Sequence, residues 1–210
     1  QPYMTELLHS DDIFIVRRDF MYQLLSYPIK QGQPTWPGNP TFSLEPHTSI
    51  AGGDTANTCT IHLFNHYGTH LDGPMHFYGK GISLDQVPFE HFFFHRPLLL
   101  DIPKEPGEKV MPEDLISHSE DIKDADLLLI RTGFWKYRSE KPEVYEHNGP
   151  AVSSQLAAYL QDRMSHLKAV ALDFVSLASY SDTEDGDLAH QTMLGMYHNH
   201  YICIIEDVNM

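Results

Sequence analysis

The run Leu127-Leu128-Leu129-Ile130 contains no polar residue, so whatever element it forms must be covered on both sides. A strand with one face in water alternates apolar and polar residues, whereas a strand packed on both faces does not. The pattern recurs at residues 96–102, 169–174 and 201–208, each a short apolar run. Stretches of helical period lie between them. Ser153 stands at an N-cap position before a stripe of Leu156, Leu160, Met164 and Leu167. Residues 112–118 read as a short helix with Pro112 in its first turn, and 188–196 also read as helix. Buried strands separated by amphipathic helices point to an α/β fold with a largely covered sheet. Upstream, residues 23–29, 41–45 and 57–66 read as strands. Residues 34–40 read as loop, because three prolines and a glycine cannot join a ladder. Residues 1–20 carry no pattern that assigns them. With no repeat, low-complexity tract or linker, the 210 residues are expected to form one domain, with 1–20 as an extension.

Charge narrows the function. Fourteen Lys and Arg face 29 Asp and Glu, a formal net charge of −15. Binding nucleic acid means neutralising phosphates with cationic side chains, so that class is excluded, and so is docking on an anionic membrane surface. No apolar run is long enough to span a bilayer, and the first residues lack a basic-then-apolar leader. A cytoplasmic protein acting on a small molecule is the expectation. Cys59 and Cys203 sit singly in strand-like runs and read as two small buried hydrophobes, not as a disulfide or a metal pair.

Histidine is the outlier, with 14 residues, about three times the usual share. Three of them fall with an aspartate in His66-Tyr67-Gly68-Thr69-His70-Leu71-Asp72-Gly73-Pro74-Met75-His76. In an extended chain, residues two apart share a face, so His66, His70 and Asp72 would project together. Two imidazoles and a carboxylate form a half-shell suited to Zn²⁺ or a similar ion. Asp72 has two oxygens and could bridge two ions. Gly73 and Pro74 turn the chain and would present His76 separately, placed to act as general acid and base. There is no H-E-x-x-H and no G-x-S-x-G, which leaves the zincin and serine-hydrolase routes without support.

This segment resembles the H-x-G-T-H-x-D-x-P-x-H signature of the cyclase-like metal-dependent hydrolases, the kynurenine formamidase and isatin hydrolase type. Further pieces resemble that family in order along the chain. They are Leu25-Ser26-Tyr27-Pro28-Ile29, Trp36-Pro37-Gly38-Asn39-Pro40 and Arg131-Thr132-Gly133, then Ala171-Leu172-Asp173-Phe174-Val175-Ser176, Ala189-His190-Gln191 and Ile204-Ile205-Glu206-Asp207. The resemblance implies a swivelling β/β/α fold with a mixed sheet, assembled as a homodimer or homotetramer. It implies one or two divalent ions per subunit, zinc first and manganese second. His66 and His70 would hold the first ion. Asp72 and Glu206 would bridge to a second, which His190 would complete. His76 would move protons, and Trp36 would face the substrate.

His190 and Glu206 are more widely separated here than in the family pattern, so His198 or His200 could take the place of His190. Gln191 stands where the family has arginine. The resemblance implies hydrolysis of a small aromatic amide, N-formylkynurenine in the first instance, with lactam or lactone opening as the alternative. A non-catalytic metal-binding protein is the rival from another class. A cupin-type barrel built on His198-Asn199-His200 and Glu206 fits the helix–strand alternation poorly. The run His91-Phe92-Phe93-Phe94-His95 reads as core or subunit interface.

Overall fold

A computed structural model of the chain describes residues 14–17 and 20–210. The rest of the 1–20 extension lies outside the described residues. The strands are β1 (Phe14–Arg17), β2 (Phe20–Gln23), β3 (Ser43–Thr48), β4 (Thr58–His62), β5 (His70–Asp72), β6 (Pro97–Asp101), β7 (Lys109–Val110), β8 (Leu127–Arg131), β9 (Ala151–Val152), β10 (Ala169–Leu172) and β11 (Cys203–Glu206). The α-helices are α1 (Pro112–Ile116), α2 (Ser119–Ile122), α3 (Tyr137–Glu140), α4 (Pro142–His147), α5 (Ser154–Arg163) and α6 (Thr183–Met193). Among the described residues, no helix is long and apolar enough to cross a membrane.

The central sheet has the order β5-β11-β10-β8-β6. Strands β6, β8, β10 and β11 are parallel, and β5 runs antiparallel to β11, giving a mixed sheet. Parallel neighbours cannot be joined by a hairpin and need crossovers, which α5 and α6 supply. Leu128, Ile130, Val170, Leu172 and Ile204 point into the larger core with Leu156, Leu160 and Met193 of the two helices. The opposite face carries Leu127, Leu129, Ala169, Ala171 and Cys203 against Leu25, Phe94 and Met210. The unbroken apolar run at 127–130 is therefore covered on both sides. Ser153 caps α5 by accepting from Leu156 N at 3.0 Å.

Three expectations need correction. Residues 23–29 are not a strand: β2 ends at Gln23, and beyond it only Ser26 pairs, in a single bridge to Val208. The segment straps the sheet edge, with Asn209 N on Leu25 O and Tyr27 N on Thr69 Oγ1, both at 2.9 Å. The helix expected at 188–196 runs instead over Thr183–Met193. Its polar first turn carries Glu184 and Asp185, which suit a helix N-terminus, and Gly195 at φ 88° stops it. Cys203 is buried as expected, but Cys59 is exposed. It lies on β4, which pairs only with β3 in a two-stranded ribbon whose faces the sheet does not cover.

Buried carboxylates set the strand ends. Asp173 follows β10 and accepts from Thr132 N at 2.9 Å, Thr132 Oγ1 at 2.7 Å and Gly133 N at 2.8 Å. Burial pushes its pKa up despite these donors. At the other end, Asp126 accepts from His95 N and Arg96 N, both at 2.8 Å, and its carbonyl accepts from Lys168 N at 2.9 Å. It thus fixes where β6, β8 and β10 begin. Burial pushes the Asp126 carboxyl up, but the two N–H donors and Lys168 outweigh this and hold it below its ordinary range. A depressed folded pKa means the stabilisation is complete above the unfolded value of about 4 and is lost as pH falls through the folded one. Asp126→Asn is therefore expected to lower the urea midpoint at pH 7, with the deficit shrinking below about pH 4. A deficit that stays constant from neutral to acid would show that charge is not its source.

Candidate functional site

Antiparallel pairing of β5 with β11 places His70 directly opposite Glu206 and Asp72 opposite Ile204. Residues two apart share a face, so His70, Asp72 and Glu206 project together at the carboxyl end of the parallel strands, where α/β sheets commonly bind ligands. His70 Nε2 lies 3.5 Å from both Asp72 Oδ1 and Glu206 Oε2. His66 is not part of this strand. Gly68 takes a left-handed φ of 70°, and the turn swings His66 Nδ1 to 2.9 Å from Asp72 Oδ1. The cluster expected from an extended chain thus forms through a turn that glycine adopts without strain.

The residues between the histidines hold this geometry. Buried Tyr67 donates its hydroxyl to Lys30 O at 2.7 Å and accepts from Gln33 N at 3.1 Å, which anchors the loop leading to Trp36. His70 Nδ1 donates to Gly68 O at 2.8 Å, which turns Nε2 towards the two carboxylates. Thr69 donates to Asp207 O and accepts from Tyr27 N.

Helix α6 brings His190. Its Nδ1 pairs with Gly186 O at 2.8 Å, and its Nε2 stands 3.5 Å from Glu206 Oε1 and 3.9 Å from Asp72 Oδ2. His198 and His200 line a separate hollow with Lys80 and Tyr78, so the wider spacing to Glu206 does not exchange one histidine for another. Gly186 packs on Ala178 so closely that a Cβ there would meet Ala178 Cβ at 2.3 Å. The same segment clamps Glu206, whose Oε1 accepts from Leu177 N at 2.6 Å and Ser176 Oγ at 3.1 Å. A glycine inside a polar helical stretch was the only sequence sign of this contact.

His76 follows the turn in which its N–H bonds Gly73 O. Its ring stacks on His66 at 3.9 Å, and its Nε2 is 3.7 Å from Asp72 Oδ2. Its side chain is 32 % exposed, against 1 % for Asp72. Donor atoms of His66, Asp72 and His76 lie within 4.8 Å of one another, as do those of His70, Asp72 and Glu206. Asp72 is common to both groups. Both Asp72 oxygens and His70 Nε2 are buried without a hydrogen bond; the His66 contact is short but not aligned on the oxygen. Buried polar atoms are nearly always paired, and two carboxylates with three imidazole lone pairs form a donor set that suits a divalent cation.

The titration behaviour expresses the same demand for positive charge. Burial raises the Asp72 pKa, but His66, His70 and His76 around it bring it below its ordinary value. Burial lowers those of His66 and His190, and the carboxylates Asp72 and Glu206 more than reverse this. At His76 burial prevails and the pKa falls.

The cluster forms the floor of a cavity of about 340 Å³. Its walls include Trp36, Phe64, Phe77 and Val175, with Asn39, Thr183 and Asp187 also lining it. Trp36 meets Tyr180 edge to face at 5.6 Å, and Phe77 stacks on His190 at 4.2 Å. All seven residues singled out from the sequence, namely Trp36, His66, His70, Asp72, His76, His190 and Glu206, therefore converge, with Asp72 beneath the cavity lining. Phe64, Phe77, Gly186 and Asp187 were not singled out, because isolated aromatic and polar residues carry no periodic signal, and Ser176 was seen only as the end of a family-like segment, with no role assigned.

Residues 24–179 match the Cyclase family. A protein of Haemophilus influenzae described as uncharacterized is 34% identical over 110 residues, which cover 52% of this chain and 78% of that one. A kynurenine formamidase of Bacillus mycoides is 26% identical over 184 residues, covering 88% of this chain and 80% of its own. Isatin hydrolase A from Labrenzia aggregata shares the fold at a TM-score of 0.71 and 19% identity, over 89% of this chain and 79% of that one.

Behind Glu206, Asp207 adopts φ 54° and is held on every side. Arg138 donates to it in a fork, Nε to Oδ1 at 2.7 Å and Nη2 to Oδ2 at 2.8 Å, and Tyr145 donates at 2.7 Å. The guanidinium also lies 3.9 Å over the Tyr27 ring. Removing one partner of a buried pair strands the other charge, typically at a cost of about 3–5 kcal/mol. Arg138→Met is expected to destabilise the chain by about that amount in urea titrations. Asp207→Asn added to it should recover part of the loss, because asparagine tolerates the left-handed backbone and carries no charge to strand. A double variant no more stable than Arg138→Met would mean that packing, not charge, is what the pair supplies.

Proposed function

The chain belongs to the Cyclase family, matched over residues 24–179, and from that footing we propose that it is a metal-dependent hydrolase cleaving the C–N bond of a small aryl amide, with N-formylkynurenine the first candidate. The alignment with a named kynurenine formamidase along 88% of this chain supports the substrate class. The observation that carries the metal dependence is the pair of unbonded, buried Asp72 oxygens facing imidazole nitrogens. His66, His70 and Asp72 would hold one ion, and Asp72, Glu206 and His190 a second. Zinc suits imidazole with carboxylate, and manganese is the alternative. A divalent ion bound there polarises a carbonyl and brings water towards ionisation near neutral pH.

The chain's own residues do the rest. Asp72 and Glu206 are fixed by the strand pair and by Leu177 N, so the charge they present needs no rearrangement during reaction. The Nδ1 atoms of His70 and His190 are committed to backbone carbonyls, which keeps both rings oriented. His76 has no such commitment, is the most exposed ring of the cluster, and is turned towards the cavity. That freedom suits a group that takes a proton from water and passes it to the leaving nitrogen. Trp36 and Phe64 offer flat apolar walls for an aryl ring, with Trp36 suited to stacking on it.

Fold neighbours that include isatin hydrolases at a TM-score of 0.71 keep lactam opening as the second reading. Hydrolysis of N-formylkynurenine measured against isatin separates the two, and turnover of neither would leave a metal-binding protein without this catalysis. Dialysis against zinc should leave one or two ions per chain. It should also stabilise the fold, by about 2.7 kcal/mol at an ion concentration a hundred times Kd. Asp72→Asn should abolish that gain, and protein that stays empty in both zinc and manganese ends the proposal. His76→Ala should keep its ions while kcat falls by roughly two to four powers of ten. Loss of an ion instead would make His76 a ligand, and full activity would remove it from the mechanism.

A further inference from the structure

A second hollow, of about 190 Å³, is built from two segments outside the metal cluster. Tyr78 and Lys80 supply one wall, from the turn that follows His76. That turn is closed by Tyr78 N on Pro74 O at 3.2 Å and Gly81 N on Tyr78 O at 2.7 Å. Gly81 sits so close to Pro74 that a Cβ would meet its carbonyl at 2.7 Å. His198, Asn199 and His200 supply the other wall. They belong to the stretch between His190 and Glu206 that is longer here than in the family pattern. Met196 N on Gln191 O at 2.9 Å folds this stretch back on α6, and Gly195 packs on His200 O, which a Cβ there would meet at 2.9 Å.

The lining is basic and short of partners. In a chain with 29 Asp and Glu against 14 Lys and Arg, no carboxylate is among the described residues that line this hollow. Asp162 comes within 3.9 Å of His198 Nδ1, but its side chain is 68 % exposed and lies outside the lining. His200 Nε2 is buried and makes no hydrogen bond, whereas buried polar atoms are nearly always paired. Burial and the neighbouring His198 lower the His200 pKa, the response of an imidazole with no anion beside it. Lys80 makes no hydrogen bond or ion pair with any described residue. We infer that this hollow binds a phosphate group, with Lys80 supplying charge from one wall and His200 Nε2 a hydrogen bond from the other. Lysine serves phosphate as a point charge, and the oxygens of a tetrahedral anion do not share one plane, so a single group meets donors on both walls. A bound phosphate then ties the turn carrying His76 to the segment that follows the helix carrying His190.

Calorimetric titration tests it on the full chain, loaded with zinc and freed of unbound ion. Inorganic phosphate should bind, and Lys80→Gln and His200→Gln should each weaken it by about tenfold, while Lys80→Arg keeps most of the affinity. Lys80 is exposed and unbonded, so its substitution leaves the fold intact. Asp72→Asn, which removes a ligand from the metal cluster, should bind phosphate as the parent does, so the outcome is independent of the hydrolase reading. Binding lost in Asp72→Asn but kept in Lys80→Gln would put the phosphate on the metal and overturn the inference, as would no binding by the parent chain.

Phenyl phosphate and acetate distinguish the source of the group. Tighter binding of phenyl phosphate identifies an organic monoester, with the Tyr78 and Tyr201 rings available beside it, and tighter binding of inorganic phosphate identifies the free ion. Acetate bound as tightly as either overturns the choice of phosphate. Hydrogen exchange tests the link between the walls. Amides of residues 75–81 and of 196–201 should both exchange more slowly when phosphate is present, in the parent chain and not in Lys80→Gln. Exchange unchanged at saturation in either segment would show that no bridge forms and overturn that placement.

Discussion

Asp72 and Glu206 are taken out of water side by side, and the organisation of the site follows from that. An isolated buried carboxylate is costly, and two of them close together more so. The chain meets the cost in two ways. Glu206 receives hydrogen bonds from Leu177 N and Ser176 Oγ. Asp72 receives none, and is instead ringed by the nitrogens of His66, His70, His76 and His190 at 2.9 to 3.9 Å. Both Asp72 oxygens are still left without a hydrogen bond, and a divalent cation held among these donors would meet that need.

The elements that make the fold are the ones that make the site. Pairing of β5 with β11 aligns His70 with Glu206. Thr69, in the turn before His70, bonds the carbonyl of Asp207, and Asp207 is locked by Arg138 and Tyr145. The two halves of the cluster, some 130 residues apart in sequence, are thus stapled a second time just outside it. Even the residues that merely space the histidines have structural tasks, Tyr67 on the Trp36 loop and Gly68 in the turn.

Much of this was legible in the sequence where one physical signal dominated. The apolar run at 127–130 lies within β8, which extends one residue further to Arg131, and Ser153 capped its helix, because burial and capping are local demands. The histidine cluster was legible because its density has no bland explanation, and Trp36, His190 and Glu206 were placed by resemblance. Tertiary contacts decided the rest. The polar start of α6 holds as helix because Asp185 bonds Lys109 and Ser154, and no window of sequence contains those partners. Residues 23–29 look like a strand by composition but lie as a strap, since only Ser26 finds a ladder partner. Cys59 has the neighbours of a core residue, yet its ribbon stands clear of the sheet.

The near-touching of Gly186 and Ala178 has a mechanical consequence. Where a glycine backbone meets an alanine methyl and Cα with no room for another carbon, there is no interstitial slack to absorb sliding. The helix bearing His190 and the segment gripping Glu206 must then vibrate as one body. Fluctuations that would open the gap between these two groups require prising apart packed main chain, not the cheap rotation of a side chain.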